Sequence, residues 1–180
     1  MQTYTRNETN WRQKVAKTYL ISDLHIGHTD IHLKWRKEFC SQSDHDEVMI
    51  QAWNSVVRSR DVVKVLGDFI IGIKNLHYLK QLHGTIHWTL GNHDPKITRD
   101  ILNAHPNISY VDGVRPYKGA VLSHVPVHPI ELEYRNWNLN IHGHQHVDKH
   151  LGDKYYNANA DVMGYFPREF HSIMREMGKE

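Results

Sequence analysis

Five short motifs in fixed order constrain this chain more than any other feature. They are Asp23-Leu24-His25, Gly67-Asp68, Gly91-Asn92-His93-Asp94, Ser123-His124 and Gly143-His144-Gln145-His146. Each follows an apolar run: Tyr19-Leu20-Ile21, Val62 to Leu66, Thr85 to Leu90, Ala120-Val121-Leu122 and Asn138 to His142, in that order. Such runs, bounded by Gly, Asp and Asn, read as buried strands. The C-terminal ends of strands are where open α/β sheets place their sites. Residues far apart in sequence can therefore meet in one cleft.

The intervening segments supply the helices. Asp44 and Glu47 stand at capping-box spacing, with Asp in place of Ser or Thr, ahead of Met49, Ala52, Trp53, Val56 and Val57 on one helical face. Ile73, Leu76 and Leu79 mark a short helix ending near Gly84, and Pro95 opens another toward Leu102. Ile108 to Val111 and Val114 to Tyr117 are expected to pair as a hairpin around Asp112-Gly113. A last strand near Tyr155 to Asn159 precedes a helix with Pro167 at its start and Phe170, Ile173, Met174 and Met177 on one face. Strand–helix alternation in the first half predicts a parallel α/β sheet, and the second half is richer in strands. Periodicity by itself gives α/β and nothing finer.

A length of 180 residues fits one domain, 1–180, with a polar lead-in over 1–17. The net charge of +2, without a Lys/Arg run, gives no indication of a nucleic-acid partner. Met1 to Asn10 lacks the apolar stretch of a signal peptide, and no segment approaches a membrane span. Cys40 stands alone, which rules out an internal disulfide and suits a reducing cytosol. The expectation is a cytoplasmic protein with no membrane partner. Of 16 His residues the motifs use five; His77, His83, His105, His150 and His171 read as surface or half-buried side chains.

The motifs contain two Asp, one Asn and four His able to bind metal, plus one further His with an acidic neighbour. That suffices for two adjacent cations sharing one carboxylate. Two divalent ions roughly 3.5–4 Å apart are a recurring device for displacement at phosphorus. Carboxylates and imidazoles suit manganese, iron, nickel or zinc, and the absence of thiolates argues against a structural zinc site. Singly, each motif has a plainer explanation; Asn92 through Pro95, for example, are all turn formers. Jointly and in order they do not.

The pattern D-x-H, G-D, G-N-H-D, H, G-H-x-H resembles the calcineurin-like metallophosphoesterases, and within them the small stand-alone bacterial and phage members. The resemblance runs from Asp23 to His146. It implies a four-layer α/β/β/α sandwich and two divalent metal ions, manganese first, with iron, nickel or zinc as the other choices. It implies that Asp23, His25, Asp68 and His146 hold one ion and that Asp68, Asn92, His124 and His144 hold the other. Asp68 would bridge, one oxygen facing each cation. His93 would be catalytic, beside the leaving-group oxygen, with Asp94 orienting it. The implied reaction is hydrolysis of a phosphomonoester or small phosphodiester by metal-bridging hydroxide. Gly67, Gly91 and Gly143 would allow main chain close to the metals.

One departure narrows the reading. Protein Ser/Thr phosphatases of this superfamily carry an Arg in a G-D-x-V-D-R-G run, whereas this chain reads Gly67-Asp68-Phe69-Ile70-Ile71-Gly72. A non-catalytic metal-binding scaffold of the same fold, like the retromer subunit, is the first alternative, and the intact ligand set opposes it. A metal-dependent nuclease is the second, opposed by the near-neutral charge. His28, His128, Arg135 and Trp137 flank the motifs with no role fixed by sequence, and His142 belongs to a strand.

Overall fold

Along Val62–Leu66, Val63 and Val65 pack into one hydrophobic core and Leu66 into another. This period-two alternation means that the strand lies between two layers, buried on both faces. The computed structural model describes residues 15–96, 98–147 and 151–179. Most of the expected lead-in, residues 1–14, and His150 lie outside the described residues.

The first half of the chain gives strand β1 (Thr18–Ile21), helix α1 (Ile31–Lys34), helix α2 (Gln42–Val56), β2 (Val62–Leu66), a 3-10 helix (Ile73–Gln81), β3 (Thr85–Thr89), α3 (Thr98–Ala104) and β4 (Ile108–Asp112). The second half gives β5 (Val114–Tyr117), β6 (Ala120–Ser123), α4 (Pro129–Tyr134), β7 (Leu139–His142), β8 (Tyr155–Asn157), α5 (Ala160–Met163), β9 (Arg168–Glu169) and α6 (Phe170–Glu176). One sheet has the order β4-β3-β2-β1-β9, parallel except for β9 at the edge. The other has the order β5-β6-β7-β8, with only the β5–β6 pair antiparallel. The fold is thus two sheets flanked by helices, the mixed α/β sandwich the resemblance implied.

The outer core of the first sheet joins Met49 and Trp53 of α2 to Val63, Val65, Phe69 and Trp88. Trp53 stacks on Phe69 at 5.7 Å and Trp88 meets Phe69 edge-on at 4.9 Å. This aromatic column lies directly beneath the second motif. The inter-sheet core joins Leu20 and Leu66 to Leu122, Leu139 and Ile141, with Phe170, Ile173 and Met174 of α6. Where β1 ends, the two sheets are stitched: Ser22 N donates to Ala158 O and Ala160 N to Ser22 O. The stitch brings the strand ends of both sheets to one place.

Local expectations need correction in four places. The cap of α2 is Ser41, whose Oγ accepts from Asp44 N while Asp44 Oδ2 accepts from Cys40 N. The box is therefore Ser41–Asp44, and Asp44 is its far member. Helix α3 begins at Thr98, after Pro95, because residues 91–94 are held by long-range hydrogen bonds to the turn after β2. Segments β4 and β5 do not form a hairpin. The chain passes between sheets at Gly113, β4 pairing with β3 and β5 with β6. The hairpin turn is instead Lys118-Gly119, both at positive φ (47° and 81°), which fits the twist of a two-residue turn. Finally, Pro167 precedes β9, a two-residue edge strand against β1, and α6 starts at Phe170.

The inter-sheet face also holds a cation. Lys64 is buried; its Nζ donates to Tyr110 Oη (3.0 Å) and His87 Nδ1 (3.1 Å) and sits 4.2 Å from the Tyr117 ring centroid. Burial, with Arg115 adding, pushes Lys64 down from 10.5 to about 8. Burial and the nearby Lys64 push His87 down to about 4. Between pH 8 and 10.5 the folded protein has released a proton that the unfolded chain still holds. Stability contributed by Lys64 therefore rises with pH there, by at most about 1.4 kcal/mol per pH unit, and is lost as pH falls through 8. Denaturant titrations of wild type and Lys64→Met from pH 7 to 10.5 should show their difference moving in the wild type's favour above pH 8. A difference that stays flat would show that Lys64 titrates normally.

Candidate functional site

The turn after β1 places two side chains at once. Asp23 and His25 adopt left-handed backbone (φ 56° and 52°), and their amides donate to Gly67 O and Asp68 O (both 2.9 Å). The turn after β2 mirrors it, with Asp68 at φ 49°. Left-handed conformations are unfavourable for residues with a Cβ and concentrate where surrounding structure enforces them. Here the turn after β2 supplies the carbonyls that hold the turn after β1, and the Asp94 carboxylate holds the amides of Asp68 and Phe69.

Two groups of donor atoms result. Among the described residues, ligand atoms of Asp23, His25 and His146 lie within 4.8 Å of one another, as do those of Asp23, Asp68 and His124. Asp23 is fully buried; its Oδ2 accepts from Ser22 Oγ (2.5 Å) and His144 N (2.9 Å). Its Oδ1 has no partner and lies 3.7 Å from His146 Nε2 and 4.0 Å from His25 Nε2. Both ring nitrogens of His25 are buried without partners. Burial, with Arg36 and neighbouring histidines adding, holds His25 down to about 2, so the ring stays neutral with a lone pair. Burial pushes the Asp23 carboxyl up, the Ser22 hydroxyl opposing. Buried polar atoms left unpaired are costly and call for an explanation.

The second group repeats the pattern. His124 Nδ1 lies 3.0 Å from Leu66 O, an atom that only accepts, so Nδ1 carries the proton and Nε2 offers a lone pair. Nε2 faces Asn92 Oδ1 at 2.9 Å, His144 Nδ1 at 3.3 Å and Asp68 Oδ2 at 3.5 Å. Of these, His124 Nε2, Asn92 Oδ1 and Asp68 Oδ2 bring lone pairs together and no proton of their own. A cation resolves this, and the donors are the imidazole, carboxylate and carbonyl groups that bind manganese, iron, nickel or zinc. The residues therefore fit the metals the resemblance implied.

All seven expected ligands, Asp23, His25, Asp68, Asn92, His124, His144 and His146, converge on this region. One detail changes. Asp68 Oδ1 accepts from His93 N (2.8 Å), while Oδ2 lies 3.8 Å from His25 Nε2 and 3.5 Å from His124 Nε2. Asp68 thus faces both groups through a single oxygen, and not through one oxygen each. Asp94 also differs from expectation. Its buried carboxylate accepts from Asp68 N (2.8 Å), Phe69 N (2.7 Å), Gly91 N (2.7 Å) and Trp88 Nε1 (3.0 Å). These four donors occupy it, and none is the His93 ring. Asp94 clamps the turn after β2 to the turn after β3, and burial pushes it up to about 6. His93 is exposed and lines the cleft with His25, His28, Ile31, Trp35, Asp68, His144 and His146.

Sequence reasoning missed a layer of support. His146 Nδ1 lies 2.6 Å from Asp161 Oδ2, which turns Nε2 toward Asp23. Asp161 in turn accepts from Arg36 Nε (2.8 Å) and one Nη (3.1 Å). Arg36, 1% exposed, also donates to Asp23 O (2.6 Å) and Leu24 O (3.0 Å) and contacts His45 Nε2 at 2.8 Å. His45 Nδ1 lies 2.9 Å from Asp46 Oδ1, and Asp46 accepts from Gly27 N. The guanidinium and the His146 hydrogen bond hold the Asp161 carboxyl well below the usual range, and Asp161 raises His146. No spacing marks these residues, because they converge from α1, α2 and α5.

His128 caps α4, its Nδ1 accepting from Ile130 N, and Arg135 ends the same helix. Neither these two nor Trp137 lines the cleft. His142 is buried in β7 beside Gly143 O, as its strand position implied. A larger cavity of about 570 Å³ lies at the opposite, N-terminal ends of β1 and β2, near Lys17, Arg58 and Arg60, away from every motif.

No protein-family profile matches the chain. The uncharacterized protein MJ1445 of Methanocaldococcus jannaschii is 31% identical, covering 92% of this chain and 94% of its own length. The gene 66 protein of Mycobacterium phage L5 is 29% identical over 83% of this chain and 89% of its own length. Among solved structures, the protein of unknown function AQ665 from Aquifex aeolicus superposes with a TM-score of 0.66 at 25% identity, over 89% of this chain and 99% of that one. The chain belongs to the same family as MJ1445, and its two sheets carry the five motifs at their strand ends.

The glycines of the motifs are sterically required. A Cβ at Gly143 would lie 2.2 Å from Ser22 Oγ and 2.3 Å from Asp23 Oδ2. Gly143→Ala is therefore expected to cost about 1–3 kcal/mol, the usual range for overpacking. Gly113→Ala, with nothing within 4 Å, should stay within about 0.5 kcal/mol of wild type. Denaturant unfolding of the metal-free proteins measures both, and equal stabilities would contradict the contact.

Proposed function

We propose that the protein is a dinuclear metal-dependent phosphoesterase that hydrolyses a phosphomonoester or small phosphodiester. The observation that carries this reading is the convergence of unpaired electron-pair donors at a cleft where His93 is exposed. Asp23, His25, Asp68 and His146 would hold one cation, and Asp68, Asn92, His124 and His144 the other, with manganese first among the candidates. Divalent cations bound there supply charge stabilisation for a transferring phosphoryl group and a nucleophilic water near neutral pH.

The chain's own residues then divide the work. Asp68 Oδ2 is positioned to serve both sets. Asp161, backed by Arg36, fixes the tautomer and direction of His146, the usual arrangement around a metal-binding histidine. His93 is pinned by its main chain to Asp68 Oδ1, which leaves its ring free to give a proton to the departing oxygen. Asp94 sets this geometry through backbone amides and not through a bond to the His93 ring. The lone Cys40 fits a cytoplasmic location.

Removal of divalent metal should abolish hydrolysis of aryl phosphate esters, and manganese or a similar ion should restore it. Full turnover by a rigorously metal-free sample would end this reading. Asp68→Ala should lower metal content at both sites. Asp161→Asn should weaken metal binding by about 10–100-fold without removing a ligand, as seen when outer partners of metal-bound histidines are changed. Calorimetric titration with Mn²⁺ measures this, and unchanged affinity would leave Asp161 with a packing role only.

His93→Ala should retain its metals and lose about 10²–10⁴ in rate. The loss should be larger for alkyl esters than for nitrophenyl esters, whose leaving groups need less protonation. A variant that loses metal would make His93 a ligand. Equal losses on both esters would assign it to charge stabilisation.

A further inference from the structure

The wall of the cleft that bears no expected ligand is formed by Ile31, Trp35 and His28, and this wall has a different chemistry. Trp35 is 72% exposed, while its neighbour Arg36 is 1% exposed. That contrast comes from anchoring. The amides of Trp35 and Arg36 both donate to Ile31 O (3.0 and 2.9 Å), and the Arg36 guanidinium is tied to Asp23 O and Leu24 O. The backbone carrying Trp35 is thus fixed to the same turn that carries Asp23 and His25. Ile31, buried, forms the base beside it. His28 lines the same cavity with a buried Nδ1 that has no hydrogen-bond partner.

We propose that Trp35 and His28 form a substrate subsite for a nucleoside, the base stacking on the Trp35 indole and His28 hydrogen-bonding to the sugar or phosphate. The inference rests on the phosphoesterase reading and narrows its substrate to a mononucleotide ester. A rigid aromatic face beside a phosphate site is how proteins hold bases without reading sequence. The cavity measures about 240 Å³, below the roughly 300 Å³ lower end of ordinary ligand pockets, which leaves room for one ring system. A net charge of +2 gives no indication of an extended track for a polynucleotide backbone.

The test uses the manganese-loaded full chain and esters matched in type: a nucleoside 5′-monophosphate against glycerol phosphate, and a dinucleotide against a dialkyl phosphate. The nucleoside member should be preferred in kcat/KM by about tenfold or more, mainly through KM, as base–aromatic stacking allows. Trp35→Ala should bring that ratio close to one, and Trp35→Phe should keep most of it. Independently of turnover, saturation-transfer NMR should detect adenosine on wild type and lose it on Trp35→Ala. An unchanged ratio together with undiminished adenosine signal in Trp35→Ala would overturn the subsite. Rising kcat/KM with oligonucleotide length would replace the mononucleotide with a strand. If no ester is turned over by the metal-loaded wild type, the phosphoesterase reading fails, and adenosine binding lost on Trp35→Ala would still establish the aromatic subsite.

Discussion

Electron pairs that face one another without a proton between them are the constraint around which this structure is arranged. Asp23 Oδ1 and both nitrogens of His25 are buried without hydrogen-bond partners, and His124 Nε2 faces Asn92 Oδ1 while the ring's proton is engaged on Nδ1. In water they would separate. They stay together because the backbone beneath them is fixed by groups that are fully satisfied. The left-handed turn at Asp23 and His25 donates to the carbonyls of Gly67 and Asp68, the left-handed Asp68 is held in turn through its amide by Asp94, and each costs conformational energy that only a rigid surrounding can sustain.

Two buried side chains provide most of that rigidity, one on each side. Asp94 collects the amides of three strand-end residues and the Trp88 indole, which links the site to the aromatic column of the core. Arg36 collects the carbonyls of Asp23 and Leu24 and the carboxylate of Asp161. One is an acceptor satisfied by donors, the other a donor satisfied by acceptors. Both sit where a hydrophobic residue of equal size would leave backbone groups unpaired. Packing and site geometry are therefore the same set of contacts viewed from two directions.

The candidate ligand set was legible in the sequence because its members are local to strand ends. Asp23, Asp68, Asn92, His124 and His144 each follow an apolar run directly, and a strand end converts that adjacency into position. The support was not legible. Asp161 lies in a helix of four residues, and Arg36 just past another, with no periodicity to mark them. Asp112-Gly113 is the stronger hairpin signal in sequence, yet the chain turns between paired strands at Lys118-Gly119. Only strand pairing distinguishes them, and pairing is a long-range property.

By itself, then, the sequence determined the α/β class, the strands that end at the site and the residue types gathered there. These follow from short-range facts: apolar runs, turn formers and the spacing of imidazoles and carboxylates. The tertiary structure alone decided that β4 and β5 belong to different sheets, that Asp68 faces both donor groups with one oxygen, and that Asp94 serves backbone amides. It also decided that Trp35 stands exposed over the cleft while Arg36 beside it is buried. The physical reason is that a hydrogen-bonding group has several possible partners nearby in sequence and many more in space. Which one it takes is settled only when the two sheets are brought together and the buried groups must all be satisfied at once.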